Sequence, residues 1–169
     1  MNRNFRFHIR SGGQSGVDRA ALDAAIAAGR PYEGWCPKGG WAEDFPKPPG
    51  LVAKYPGLRE TTERDPAQRT EWNVRDSDAT LILISHANSF SPGSEFAAKC
   101  ALRLHKPLQT IVYSGQEAVQ EIFAYFARFR EAKSLNVAGP RESECPGAYE
   151  ACFNLLLECL SAPKAPRAG

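Results

Sequence analysis

Apolar positions alternate along residues 5–9, stop at Ser11-Gly12-Gly13, and resume at helical spacing over residues 17–28, where Gly29 and Pro31 close the pattern. This predicts a strand, a tight turn and a helix. Alanines at positions 20, 21, 24, 25, 27 and 28 leave little side chain on that helix, so it can lie close against a sheet. Residues 31–36 supply a short second strand. Residues 79–85 form an unbroken apolar run of strand length, as expected of a central parallel strand covered on both faces.

Asp65-Pro66 provides a cap and a first helical position for a helix over residues 67–76. After the apolar run, Ser91-Pro92-Gly93-Ser94 forms a second turn, with Ser94 as a candidate cap. A helix at 95–104 and a strand at 108–113 follow, then an aromatic-rich helix at 116–130, a strand at 134–138 and a closing helix at 149–160. The alternation predicts an α/β fold: a Rossmann-like, mostly parallel sheet with helices on both faces, in a single domain over residues 1–161 with a flexible tail at 162–169. Only residues 37–66 resist assignment, because Pro37, Pro46, Pro48, Pro49 and Pro56 interrupt every period. A loop this long reads as a lid or binding loop, with disorder as the competing reading, and Trp41, Phe45 and Tyr55 favour a loop that packs down.

Composition narrows the partners. A chain of 169 residues can bury one good core, and a net charge of +2 gives no general reason to expect nucleic acid or a membrane. No signal-like or membrane-length apolar run is visible, and five cysteines without a CxxC pair fit a reducing, cytoplasmic setting. Cys145, Cys152 and Cys159 recur every seven residues, about 10 Å apart on a helix and too far to share a metal, so no metal site is expected. The aromatics of 116–130 exceed what one core-facing stripe needs, which predicts a homo-oligomer, a dimer or tetramer.

The candidate chemistry lies at the two turns, which open at the carboxyl ends of their strands and can face one site. Gly12, Gly13, Gln14, Ser15 and Gly16 precede a helix N-terminus, where amide donors and the helix dipole favour an anion such as phosphate. The turn matches neither the dinucleotide fingerprint nor the Walker pattern, and a purely structural turn is the alternative. Asp18 suits a ligand hydroxyl or amide, and Arg19 is either a solvated charge or an anion contact. Gly93 and Ser94 offer a second set of donors, and Glu95 is either a general base or a helix-stabilising charge. Arg69 and Asn73 share a helical face, either toward a ligand or as part of a salt-bridged surface. His8, His86 and His105 have no partner pattern.

The segments 11–23, Gly34-Trp35-Cys36-Pro37-Lys38-Gly39 and 68–80 together resemble the molybdenum-cofactor carrier protein family, a member of the Rossmann-like group that also holds the lysine decarboxylase-like phosphoribohydrolases. The resemblance implies self-assembly and a pocket for a phosphorylated pterin or nucleotide, with the molybdenum cofactor as one possible guest and Lys38 among the contacts. The hydrolase relatives carry a Pro-Gly-Gly-x-Gly-Thr-x-x-Glu turn, where this chain has Ser91-Pro92-Gly93-Ser94-Glu95. The leading expectation is therefore a non-catalytic carrier or binding protein. The alternatives are a nucleoside 5′-monophosphate N-glycosidase using Glu95 or Asp18, and a nucleotide-derivative sensor.

Overall fold

The computed structural model describes residues 5–161. The tail expected at 162–169 lies outside them. The elements run β1 (His8–Arg10), α1 (Val17–Ala27), β2 (Tyr32–Cys36), α2 (Leu51–Lys54), β3 (Leu58–Glu60), α3 (Pro66–Arg75), β4 (Ala79–Ile84), α4 (Pro92–Arg103), β5 (Leu108–Val112), α5 (Ala118–Arg128), β6 (Ser134–Ala138) and α6 (Ala148–Leu160). The six strands form one sheet in the order β3-β2-β1-β6-β4-β5, and every pairing is parallel.

Parallel pairing requires crossovers, and the helices that supply them cover the sheet. On one face α1, α5 and α6 enclose Phe7, Ile9, Leu81, Leu83, Leu135 and Val137. The alanines at 20, 21, 24 and 25 are fully buried there, so the small side chains on α1 serve close packing. On the other face Val74 of α3 and Ala97, Cys100 and Ala101 of α4 meet Ile82 and Ile84. All six residues of β4 are buried, as expected of a strand covered on both sides.

Residues 37–66 depart most from expectation. They contain a helical turn, α2, and a sixth strand, β3, which pairs with β2 through Gly34, Trp35 and Cys36. β3 is three residues long and buries only Leu58, so it leaves no alternation to read. The segment between β2 and α2 is pinned. Arg19, 8% exposed at its side chain, donates to Gly13 O and forms a two-pronged pair with Asp44 at 2.8 Å. Its guanidinium also lies over Phe45. Neither reading offered for Arg19 holds: it is neither a solvated charge nor an anion contact, but the clasp between this loop and the glycine turn.

Part of the aromatic content of α5 packs within the chain. Ile122, Tyr125 and Phe126 are buried, and Phe5 contacts both Phe123 and Phe126. Of the seven-residue cysteine series, Cys152 and Cys159 are buried in the same core, and Cys145 lies 3.0 Å from the Tyr113 hydroxyl.

Two tests follow from this packing. A Cβ at Gly34 would fall 1.9 Å from the carbonyl oxygen of Ser11, a backbone atom that cannot move aside. Gly34→Ala is expected to cost about 3 kcal/mol, roughly 10 °C in melting temperature, read by thermal denaturation. Hydrogen bonds from Arg19 hold the Asp44 carboxyl below its ordinary value. A depressed carboxylate contributes stability above its unfolded pKa, near 4, and loses it as pH falls through the folded value. The melting-temperature gap between wild type and Asp44→Asn is therefore largest near neutrality and narrows as pH falls below the unfolded carboxyl value and through the lower folded one.

Candidate functional site

β1, β6 and β4 end side by side, and the loops that leave them enclose a cleft of about 300 Å³. β1 leads to Gly12, Gln14 and, in α1, Asp18; β6 leads to Gly139 and Arg141, and β4 leads to Ser91, Gly93 and Ser94. α3 forms a further wall through Arg69, Thr70 and Asn73. The two glycine turns thus face one site, as their positions at strand ends require.

An ion pair lies at its centre. Arg69 Nη1 is 2.7 Å from Asp18 Oδ2, and the side chains are 11% and 6% exposed. Burial pushes the Asp18 carboxyl above its ordinary value, while Arg69 and hydrogen bonds from the Gly139 and Gln14 amides draw it back. Gly12 makes room for the pair, since a Cβ there would fall 2.0 Å from Arg69 Nη1. The first turn therefore directs part of its donor set at a carboxylate of the chain itself.

The remaining residues of that turn separate by role. Gly13 faces Leu22, Leu51 and Leu58, away from the cleft. Ser15 contacts Glu43 and accepts from the Glu142 amide, while the backbone of Pro140 and Glu142 lies against Gly16. The Val17 amide donates to Pro140 O, so the first helical N–H of α1 is already used. Of the proposed phosphate cradle, Gly12 and Gln14 line the cleft and Gly13, Ser15 and Gly16 do not.

Asn73 lines the cleft but has other work. Its Oδ1 accepts from Trp35 N–H at 2.8 Å and its Nδ2 donates to Trp35 O at 2.9 Å. The side chain thereby replaces the β1 backbone where that strand turns away, and both of its polar atoms are engaged. In α4 the cap is Ser91, whose hydroxyl accepts from the Ser94 amide, and the helix begins at Pro92. Glu95 is 59% exposed, pairs with Lys99 at 3.0 Å and does not line the cleft. A general base at Glu95 is thus not supported by its position. Lys38 lies in a separate cleft with Trp41 and Arg64. Gly139, Arg141, Asn136 and Glu144 were not anticipated, because nothing in the sequence announces that β6 inserts beside β1.

What the cleft can accept follows from a count of used and unused groups. Its carboxylates are committed: Asp18 to Arg69, Asp65 Oδ1 to the Ala67 amide, and Glu144 Oε2 to the Arg141 amide. Its donors are not. Arg69 Nε is buried without a partner. The Gly12 and Gly93 amides have none among the described residues, and Gln14 receives two amides at Oε1, leaving Nε2. Of these, Arg69 Nε is buried, and a buried donor without an acceptor is costly, so an acceptor-rich guest would relieve it.

The family assignment agrees with the topology. The model of the circularly permutated YpsA SLOG family matches residues 9–160. The chain belongs to this family. Its sheet carries the mark of a permutation: if β6 came first, the strands would run outward from it in chain order, β1-β2-β3 on one side and β4-β5 on the other. Arg30 donates to the carbonyls of both Phe5 and Leu160, so the two ends of the described chain meet at one guanidinium. The crystal structure of a "putative molybdenum carrier protein" from Syntrophus aciditrophicus SB is similar at 36% identity and a TM-score of 0.79. The match covers 94% of this chain and 97% of that one. Comparison with curated proteins finds no match.

Removing one partner of a buried ion pair leaves the other charge uncompensated. Arg69→Met is expected to destabilise the protein by about 3–5 kcal/mol, and Arg69→Met with Asp18→Asn by less than Arg69→Met alone. Chemical denaturation of the three proteins checks this. A double variant as unstable as the single would place the cost in lost packing rather than in the stranded charge.

Proposed function

We propose that this protein binds a small phosphorylated ligand, a pterin or nucleotide, in the cleft at the ends of β1, β6 and β4, and holds it as a carrier. The observation that carries this reading is the imbalance inside the cleft: committed carboxylates beside unspent N–H donors on Arg69, Gly12, Gly93 and Gln14. Phosphate oxygens are strong acceptors, and guanidinium and helix-terminal amides are their usual partners. Arg141, whose guanidinium stacks on Trp41 at the rim, supplies a second positive charge.

The similarity to the Syntrophus carrier protein supports molybdenum cofactor as one candidate guest. N–H and O–H donors suit the phosphate and ring edges of such a molecule, whereas a bare metal ion would need the carboxylates that Arg69, Ala67 and Arg141 already occupy. Binding is preferred to turnover because Asp18, the carboxylate nearest the turn, is tied to Arg69 and cannot serve as a free base.

Isothermal titration with ribose 5-phosphate and with GMP tests the reading. Both are expected to bind below millimolar concentration, and Arg141→Ala, at the rim, is expected to weaken both about tenfold through loss of a charge-assisted hydrogen bond. Absence of binding by either probe, or unchanged affinity in Arg141→Ala, would contradict the assignment.

A further inference from the structure

A second cleft, of about 560 Å³, adjoins the first and is built by the segment that gave no pattern in the sequence. The two share Pro66, and Arg141 joins them: it lines the first and its guanidinium lies 5.5 Å from the centre of the Trp41 ring, which lines the second. Pro46, Pro48 and Pro66 line it with that indole. Lys38, Arg64 and Glu60 complete the lining with charged groups. Neither Lys38 nor Arg64 pairs with a carboxylate among the described residues.

The slot is held in shape. Gly40 N–H donates to Pro37 O, Leu51 N–H donates to Gly40 O, and Gly39 N–H donates to the Glu60 carboxylate. Arg19 fastens the same segment through Asp44. Prolines and one indole give the slot stiff, apolar lining that loses little entropy on binding a planar ring. Two cations without an ion-pair partner among the described residues and one carboxylate complete the lining.

We propose that this slot receives the ring of the ligand whose phosphate is bound in the first cleft, and that the ring is a planar heterocycle bearing a carbonyl, of the oxo-purine type. The inference rests on the phosphate-binding reading and adds to it the location and chemistry of the ring. Trp41 supplies a stacking face, Lys38 and Arg64 donate to the carbonyl oxygen and adjacent ring nitrogen, and Glu60 accepts from the N–H edge. Arginine favours this pairing because a carbonyl oxygen beside a ring nitrogen matches its fork, whereas an exocyclic amine at the same position repels it. Lys38 thereby gains a ligand contact apart from the glycine turn.

The test is amide and indole NMR of the labelled full chain with GMP, AMP and ribose 5-phosphate. GMP is expected to shift the Gly12 and Gly93 amides together with the Trp41 indole and the Gly39 amide, while ribose 5-phosphate shifts only the first pair. Trp41→Ala is expected to lower GMP affinity about tenfold and leave ribose 5-phosphate unaffected. Lys38→Ala with Arg64→Ala, at exposed positions that threaten no core, is expected to abolish a preference for GMP over AMP. If GMP shifts Gly12 and Gly93 but not Trp41, and Trp41→Ala binds it normally, the ring slot is overturned and the phosphate cleft stands. If GMP shifts Trp41 and Gly39 alone, the phosphate cleft fails, and with it the proposal that one ligand spans the two sites. If GMP shifts neither set, both are overturned.

Discussion

The buried pair of Arg69 and Asp18 organises this molecule around its cleft. It links α3 to the first turn of α1 across the end of β1, and it dictates a glycine at position 12 because any side chain there would occupy the volume of the guanidinium. Two charges withdrawn from water are tolerated only when each is well matched. Asp18 is matched by Arg69 and two backbone amides, but Arg69 retains a buried Nε with no acceptor. The interaction that stabilises the site therefore leaves it short of acceptors, and the functional reading follows from that shortage.

Topology decides which other residues share the cleft. β6, the last strand among the described residues, sits between β1 and β4, so the loop after it carries Gly139 and Arg141 to the place where the chain's two halves diverge. Clefts in parallel sheets open at such points. Here three strand ends converge where two would be expected from the glycine turns alone. Arg141 then connects this cleft to the Trp41 slot, and the clasp of Arg19 on Asp44 keeps the slot's walls in register with the turn.

Much of this was legible in the sequence, for physical reasons that differ by element. β4 declared itself because a strand covered on both faces must be apolar throughout, and α1 because its alanines serve close packing. The Asp65 cap of α3 was readable because its mechanism is local. β3 was not, since three residues with one buried side chain leave no period. The roles of Asn73 and Arg19 were also hidden: each bonds to a partner distant in sequence, Trp35 and Asp44, and no local pattern separates such a residue from a ligand contact. Gly13, Ser15 and Gly16 were grouped with Gly12 by sequence proximity, yet Gly13 faces the leucines beneath the turn, Ser15 contacts Glu43, and Gly16 packs on the backbone of residues 140–142.

The most direct test of the central claim is a crystal structure grown with millimolar ribose 5-phosphate. The account predicts phosphate density within hydrogen-bond distance of the Arg69 guanidinium and of the Gly12 or Gly93 amide, with the Arg69–Asp18 pair intact. Phosphate bound elsewhere on the surface while those donors face only solvent would contradict it.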